Sequence, residues 1–149
     1  MVGERASATR PEEVRVLTTA APAGPCGATW AFVVRDRSGQ ALRKGFEMAA
    51  DLGGDEAAYE AVARGLEAAR AAGACRVSVY TPRADVVAAV TGPVEGPAHV
   101  LGRQLQVRAL LHCFRSARVK LMSPARAGQV LLEARSAGPL QASLLGSAA

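Results

Sequence analysis

Residues 55–81, DEAAYEAVARGLEAARAAGACRVSVYT, hold a helix, a stop and a strand in succession. Tyr59, Val62, Leu66 and Ala69 recur at i, i+3, i+7 and i+10, which lines them up on one apolar helix face. Asp55 and Glu56 stand at the N-terminal end, where the helix dipole favours negative charge. Gly73 is the expected stop, since glycine takes the left-handed conformation that closes a helix. Gly65 lies inside the helix, where it costs about 1 kcal/mol relative to alanine. Close packing of this helix on a sheet is the expected compensation. The strand that follows ends at Thr81, Pro82 and Arg83. Strand ends are where α/β proteins place their chemistry, yet these three residues include no acid, no histidine and no nucleophile beside a base.

Working outward, VRVLTT (14–19) and ATWAFVVR (28–35) read as strands separated by the Pro/Gly/Ala loop AAPAGPCG. DRSGQ is a hairpin turn with Gly39 available for a positive φ, and ALRKGFEMAA (41–50) is a third strand antiparallel to the second. After the central pair come a short helix, RADVVAAV, and a linker, TGPVEGP. HVLGRQLQVRALLHCFRSA (99–117) is a second long helix, with Val107, Leu110, Leu111 and Phe114 as its buried stripe. RVKLM (118–122) is a fifth strand and ARAGQVLLEARSA (125–137) a last helix. Trp30, Phe32, Phe46 and Tyr80 fall in strands and are assigned to the core. The order β-β-β-α-β-α-α-β-α predicts one α/β domain over 14–137, a five-stranded mixed sheet with helices on both faces. Residues 1–13 are expected to be a flexible arm and 138–149 a tail of small residues.

The net charge of +5 is unevenly placed. No acid occurs between Glu95 and Glu133, while Arg103, Arg108, Arg115, Arg118, Lys120 and Arg126 all do. The remaining 12 basic and 13 acidic residues nearly cancel. A patch of one sign attracts polyanions, of which nucleic acid is the commonest. Those six, with His112 beside Arg108 and Arg115 on one helix flank, are the expected nucleic-acid contacts. The alternative left open is that these arginines only solvate a helix. Apolar runs fall well short of a membrane span, and no secretory signal is visible. Cys26, Cys75 and Cys113 are odd in number and outside any CxxC pairing, which predicts reduced thiols in the cytoplasm and no zinc site. His99 and His112 have no ligating partner at metal spacing, and DLGGDE lacks the lysine of a phosphate loop.

The element order together with AAYEAVARGLEAARAAGACRVSVYT, VRVLTTAA and GPCGATWAFVVRDRSGQAL resembles the type 1 ribonuclease H family, over about residues 14–135. The resemblance implies two-metal hydrolysis of the RNA strand of an RNA–DNA hybrid, with paired Mg²⁺ held by four carboxylates. Carried over position by position, those acids fall on Thr19, Ala58, Pro82 and Gly128, none of them a carboxylate. The loss does not depend on register: no Asp or Glu lies between Glu13 and Asp36, between Glu67 and Asp85, or between Glu95 and Glu133. Asp55, Glu56 and Asp85 are the only nearby acids that could serve a displaced site. The family's substrate-gripping asparagines are also gone, since the chain contains no Asn. The expectation is a non-catalytic member with no catalytic residue, no metal and no other cofactor. Its expected partner is nucleic acid, duplex or hybrid, or an acidic protein. The alternatives are a hybrid endonuclease with a displaced metal site and a homodimeric interaction scaffold.

Overall fold

The computed structural model describes the backbone of residues 12–148 and the side-chain surroundings of residues 12–136. The described elements are β1 (Glu13–Pro22), β2 (Ala28–Arg35), β3 (Ala41–Ala49), α1 (Gly54–Ala71), β4 (Arg76–Thr81), α2 (Ala84–Thr91), α3 (Ala98–Leu111), β5 (Ser116–Leu121) and α4 (Pro124–Ala148). Their kinds and order are those the sequence predicts. They form one sheet in the order β3-β2-β1-β4-β5. β1 runs antiparallel to β2, and β2 to β3. β1 runs parallel to β4, and β4 to β5, each parallel pair being joined through helices as parallel pairing requires.

Alternation along the strands builds a core on each face. Val14, Val16, Trp30, Phe32, Val34, Val77 and Val79 face α1, α2 and α3. Leu17, Ala31 and Val33 face Met122 and the Ala127, Val130 and Ala134 side of α4. The predicted α1 stripe is buried, and Ala57, Ala58, Ala61 and Ala63 widen it. These small residues let the helix lie close to the sheet, and Gly65 is where it lies closest. A Cβ on Gly65 would stand 2.4 Å from Val16 Cγ1. Trp30 and Phe32, two residues apart on one face, stack with ring centroids 6.3 Å apart, and the Phe32 ring fills the space a Gly45 side chain would need.

Several boundaries differ from the expectation, each because tertiary pairing captured residues that look irregular in isolation. β1 continues through Ala20 and Ala21 to Pro22, because these pair with Ala28–Trp30 of β2. The loop shrinks to a tight turn closed by the Ala23 N–H to the Gly27 carbonyl at 3.2 Å. Within the expected arm, Glu13 belongs to β1, and the Glu12 carbonyl just before it accepts from Cys75 and Arg76 N–H groups at 2.8 and 2.9 Å. Residues 1–11 of that arm, and Ala149 of the tail, lie outside the described residues. α3 ends at Leu111 and β5 begins at Ser116, earlier than Arg118, because Ser116 and Ala117 pair with Arg76 and Val77. Phe114 therefore sits in the connecting turn, though still in the core, and the buried helical stripe is Val100, Gln104 and Val107. α4 runs on through 138–148, where a tail was expected. No described helix is long and apolar enough to cross a membrane.

Candidate nucleic-acid interface

The carboxyl end of β4 is shaped by Arg83. The strand delivers Thr81, whose hydroxyl accepts the Arg83 N–H at 3.3 Å and whose carbonyl accepts from Met122 at the end of β5 at 2.8 Å. From this anchored turn the Arg83 side chain reaches across to α1. Its Nη2 donates to Asp55 Oδ1 and to Asp85 Oδ2, both at 2.6 Å. Its Nε donates to Asp85 Oδ1 at 3.1 Å, and its Nη1 to the Gly54 carbonyl at 3.2 Å. The pairing with Asp85, then that with Asp55, holds the guanidinium even more firmly protonated than usual, against partial desolvation. Conversely, Arg83 holds the Asp85 carboxyl below its ordinary range. The planar fork of a guanidinium suits this bidentate grip.

The resemblance places metal ligands at four positions. Thr19 is buried within β1, and the neighbouring Thr18 hydroxyl donates to the Tyr80 carbonyl at 2.8 Å. Ala58 is buried under α1. Pro82 is half-buried at the strand tip, and Gly128 is exposed on α4. A hydroxyl, a methyl, a pyrrolidine ring and a bare backbone do not make a Mg²⁺ site, which needs charged oxygen donors. The three acids left for a displaced site are engaged. Asp55 and Asp85 are bound to Arg83, and Glu56 Oε1 accepts the Gly53 N–H at 2.8 Å, capping α1. A guanidinium between two carboxylates also repels a second cation. Among the described residues no three His, Cys, Asp or Glu side chains are grouped so as to hold a metal. The donor set does not fit the family's metal pair.

The basic segment divides into cations used by the scaffold and cations left open. Arg103 on α3 pairs with Glu60 of α1 at 2.8 Å. Arg108 turns inward: its Nη2 donates to the Ala89 carbonyl at 2.8 Å and to the Gly92 carbonyl, closing the C-terminal end of α2. His112 and Arg115 are exposed where α3 gives way to β5. Arg118 and Lys120 are exposed on β5, and Arg126 on the first turn of α4. None of Arg118, Lys120 and Arg126 has an acidic partner among the described residues. The seven expected contacts are thus not one surface.

Arg118 and Lys120 share a face with residues the sequence reading did not select. Arg15, Ser78 and Arg118 lie in one row across β1, β4 and β5, and Leu17, Tyr80 and Lys120 in the next. The Lys120 ammonium stands 6.0 Å from the centre of the Tyr80 ring. Tyr80, expected in the core, is half-buried at the margin of the α4 cluster. Arg15, Leu17, Tyr80, Met122, Ser123 and Arg126 surround a recess of about 270 Å³ at this margin. The signal for Arg15 was present in VRVLTT: alternation puts it opposite Val14 and Val16, on the face shared with Leu17.

The sheet order, with three helices on one face and one on the other, defines a ribonuclease H-fold protein. More particularly, residues 23–130 match the family described as reverse transcriptase-like, and the chain belongs to that family. The N-terminal RNase H domain of a Mycobacterium tuberculosis protein, solved as a maltose-binding-protein fusion, superposes with a TM-score of 0.76 at 22% identity, covering 92% of this chain and 99% of that one. RNase H1 of the halophilic archaeon Halobacterium salinarum gives 0.75 at 21% identity, covering 84% and 96%. LC11-RNase H1, solved in complex with an RNA/DNA hybrid, gives 0.70 at 19% identity, covering 81% and 95%. These likenesses establish the fold. No curated protein matches the sequence.

Proposed function

We propose that the chain is a non-catalytic ribonuclease H-like domain that serves as a nucleic-acid-binding or assembly module. The observation that carries the reading is the Arg83 clamp: a protein cation bridges the two carboxylates nearest the strand tip, where the family's chemistry would place divalent metal. Loss of the four ligand positions Thr19, Ala58, Pro82 and Gly128 supports it independently. One relative of the same fold was solved with an RNA/DNA hybrid, so a hybrid is the first duplex ligand to offer this chain. The basic surface that remains outside the scaffold pairs supplies the charge for such binding. The free thiols of Cys26, Cys75 and Cys113 suit a reducing compartment such as the cytoplasm.

The test is incubation of the protein with a labelled RNA–DNA hybrid and either Mg²⁺ or Mn²⁺, alongside a binding titration of the same hybrid. Binding without cleavage is the expected result. Metal-dependent cleavage that disappears in Asp55→Asn or Asp85→Asn would establish the displaced-site nuclease instead. The assembly alternative draws on the two sheet edges, β3 and β5, which have no outer strand partner among the described residues. Sedimentation over a range of concentrations reads it directly.

A further inference from the structure

We infer that the half of the sheet left uncovered beside α4 is a binding surface for single-stranded nucleic acid. The inference deepens the nucleic-acid part of the proposed function and rests on it. α4 packs across β3, β2 and β1. On the same side, β4 and β5 carry no described helix: Ser116, Arg118 and Lys120 are exposed, and Ser78 and Tyr80 half-buried.

This strip is selectively charged. Arg15, Arg118, Lys120 and Arg126 have no carboxylate within salt-bridge distance among the described residues, whereas Arg76 and Arg37 are each offset by a glutamate at 4.0 Å. Residues 1–11 and 137–149 contain one acidic side chain, Glu4, against Arg5 and Arg10. A polyanion is therefore the ligand the strip selects.

Shape chooses the kind of polyanion. Three neighbouring strands span only about 10 Å from Arg15 to Arg118, and successive rows on one face are about 6.6 Å apart. Such a narrow, flat track follows one phosphate backbone. Beside it, Leu17 and the Tyr80 ring line the recess together with Arg15 and Arg126. A partly exposed aromatic ring in such a recess receives a base only when the base is free of a partner strand. A duplex would offer phosphates to the strip and leave the recess unused. The Lys120 ammonium over the Tyr80 ring adds a cation at the edge of this recess.

The experiment is a polarisation titration of the full chain with labelled oligo(U) and with the RNA–DNA hybrid, over a series of salt concentrations. Arg118→Glu with Lys120→Glu changes two exposed strand residues and leaves both cores intact. Tighter binding of oligo(U) than of hybrid is expected, with the double variant weakening oligo(U) more than about tenfold and lowering the salt slope by about 1.4. Arg64→Glu with Arg70→Glu, an equal charge change on α1, is expected to leave more than half of the affinity. Oligo(U) carrying 4-thiouridine is expected to crosslink to β4, β5 or the start of α4. Equal losses in the two double variants, or crosslinks confined to the Arg83 end of α1 and α2, would overturn the inference. If hybrid binds and oligo(U) does not, the inference fails while the proposed function stands. If neither binds, the inference and the nucleic-acid part of the proposed function both fail.

Discussion

Replacing Arg83 by methionine keeps an unbranched stem and removes the charge, so it isolates the clamp. The wild-type side chain makes four hydrogen bonds to Asp55, Asp85 and Gly54. The two carboxylate side chains are 54% and 60% exposed, so water screens both pairs. At about 0.2–1 kcal/mol for an exposed pair, with some gain from bidentate geometry, Arg83→Met is expected to cost about 1–2 kcal/mol. For a chain of this size that lowers Tm by roughly 2–8 °C. The pH dependence separates charge from packing. Arg83 holds Asp85 below its ordinary 3.8. A carboxyl depressed in this way adds stability at pH above its unfolded value and loses it as pH falls through the folded one. Urea titrations should therefore give the full difference between wild type and variant near neutral pH, shrinking as the pH falls below 3.8. A difference under about 0.3 kcal/mol at neutral pH, or one unchanged in acid, would refute the clamp as an electrostatic element.

Other changes separate neighbouring roles. Gly65→Ala gains about 1 kcal/mol of helix propensity, but its Cβ meets the buried Val16 at 2.4 Å. Overpacking of about 1–3 kcal/mol or more is expected to prevail and lower the urea midpoint. Gly102→Ala on α3 meets nothing within 4 Å and is expected to raise stability by about 0.5–1 kcal/mol; the same sign in both variants would contradict the packing described. Arg108→Ala leaves the Ala89 and Gly92 carbonyls at the end of α2 without their donor. It should destabilise the fold by about 1–3 kcal/mol in urea titration, while the folded variant keeps its affinity for nucleic acid. Retained stability with lost affinity would return Arg108 to the binding surface.

The fold was legible because its central unit is periodic twice over. The 3.6-residue spacing of Tyr59, Val62, Leu66 and Ala69, followed by alternation in RVSVYT, specifies a helix and strand that bury one face each. Boundaries were less legible where pairing between distant segments decides them. Ala20–Pro22 and Ser116–Ala117 have weak intrinsic preferences and become strands because β2 and β4 lie alongside. The absence of carboxylates at Thr19, Ala58, Pro82 and Gly128 could be read from residue identities alone. The engagement of Asp55, Glu56 and Asp85 could not, because it is a matter of what each oxygen touches.

The amino-acid order by itself determined the run of helices and strands, the absence of carboxylates at Thr19, Ala58, Pro82 and Gly128, and the concentration of positive charge between Glu95 and Glu133. Only the tertiary structure decided which of those charges face solvent. Arg103 and Arg108 are spent on α1 and α2, while Arg118 and Lys120 are joined by Arg15 from a strand about a hundred residues away. Charge adds up along a sequence, but an electric field and a binding surface depend on distances in space, which parallel pairing of β1, β4 and β5 sets and no local pattern records.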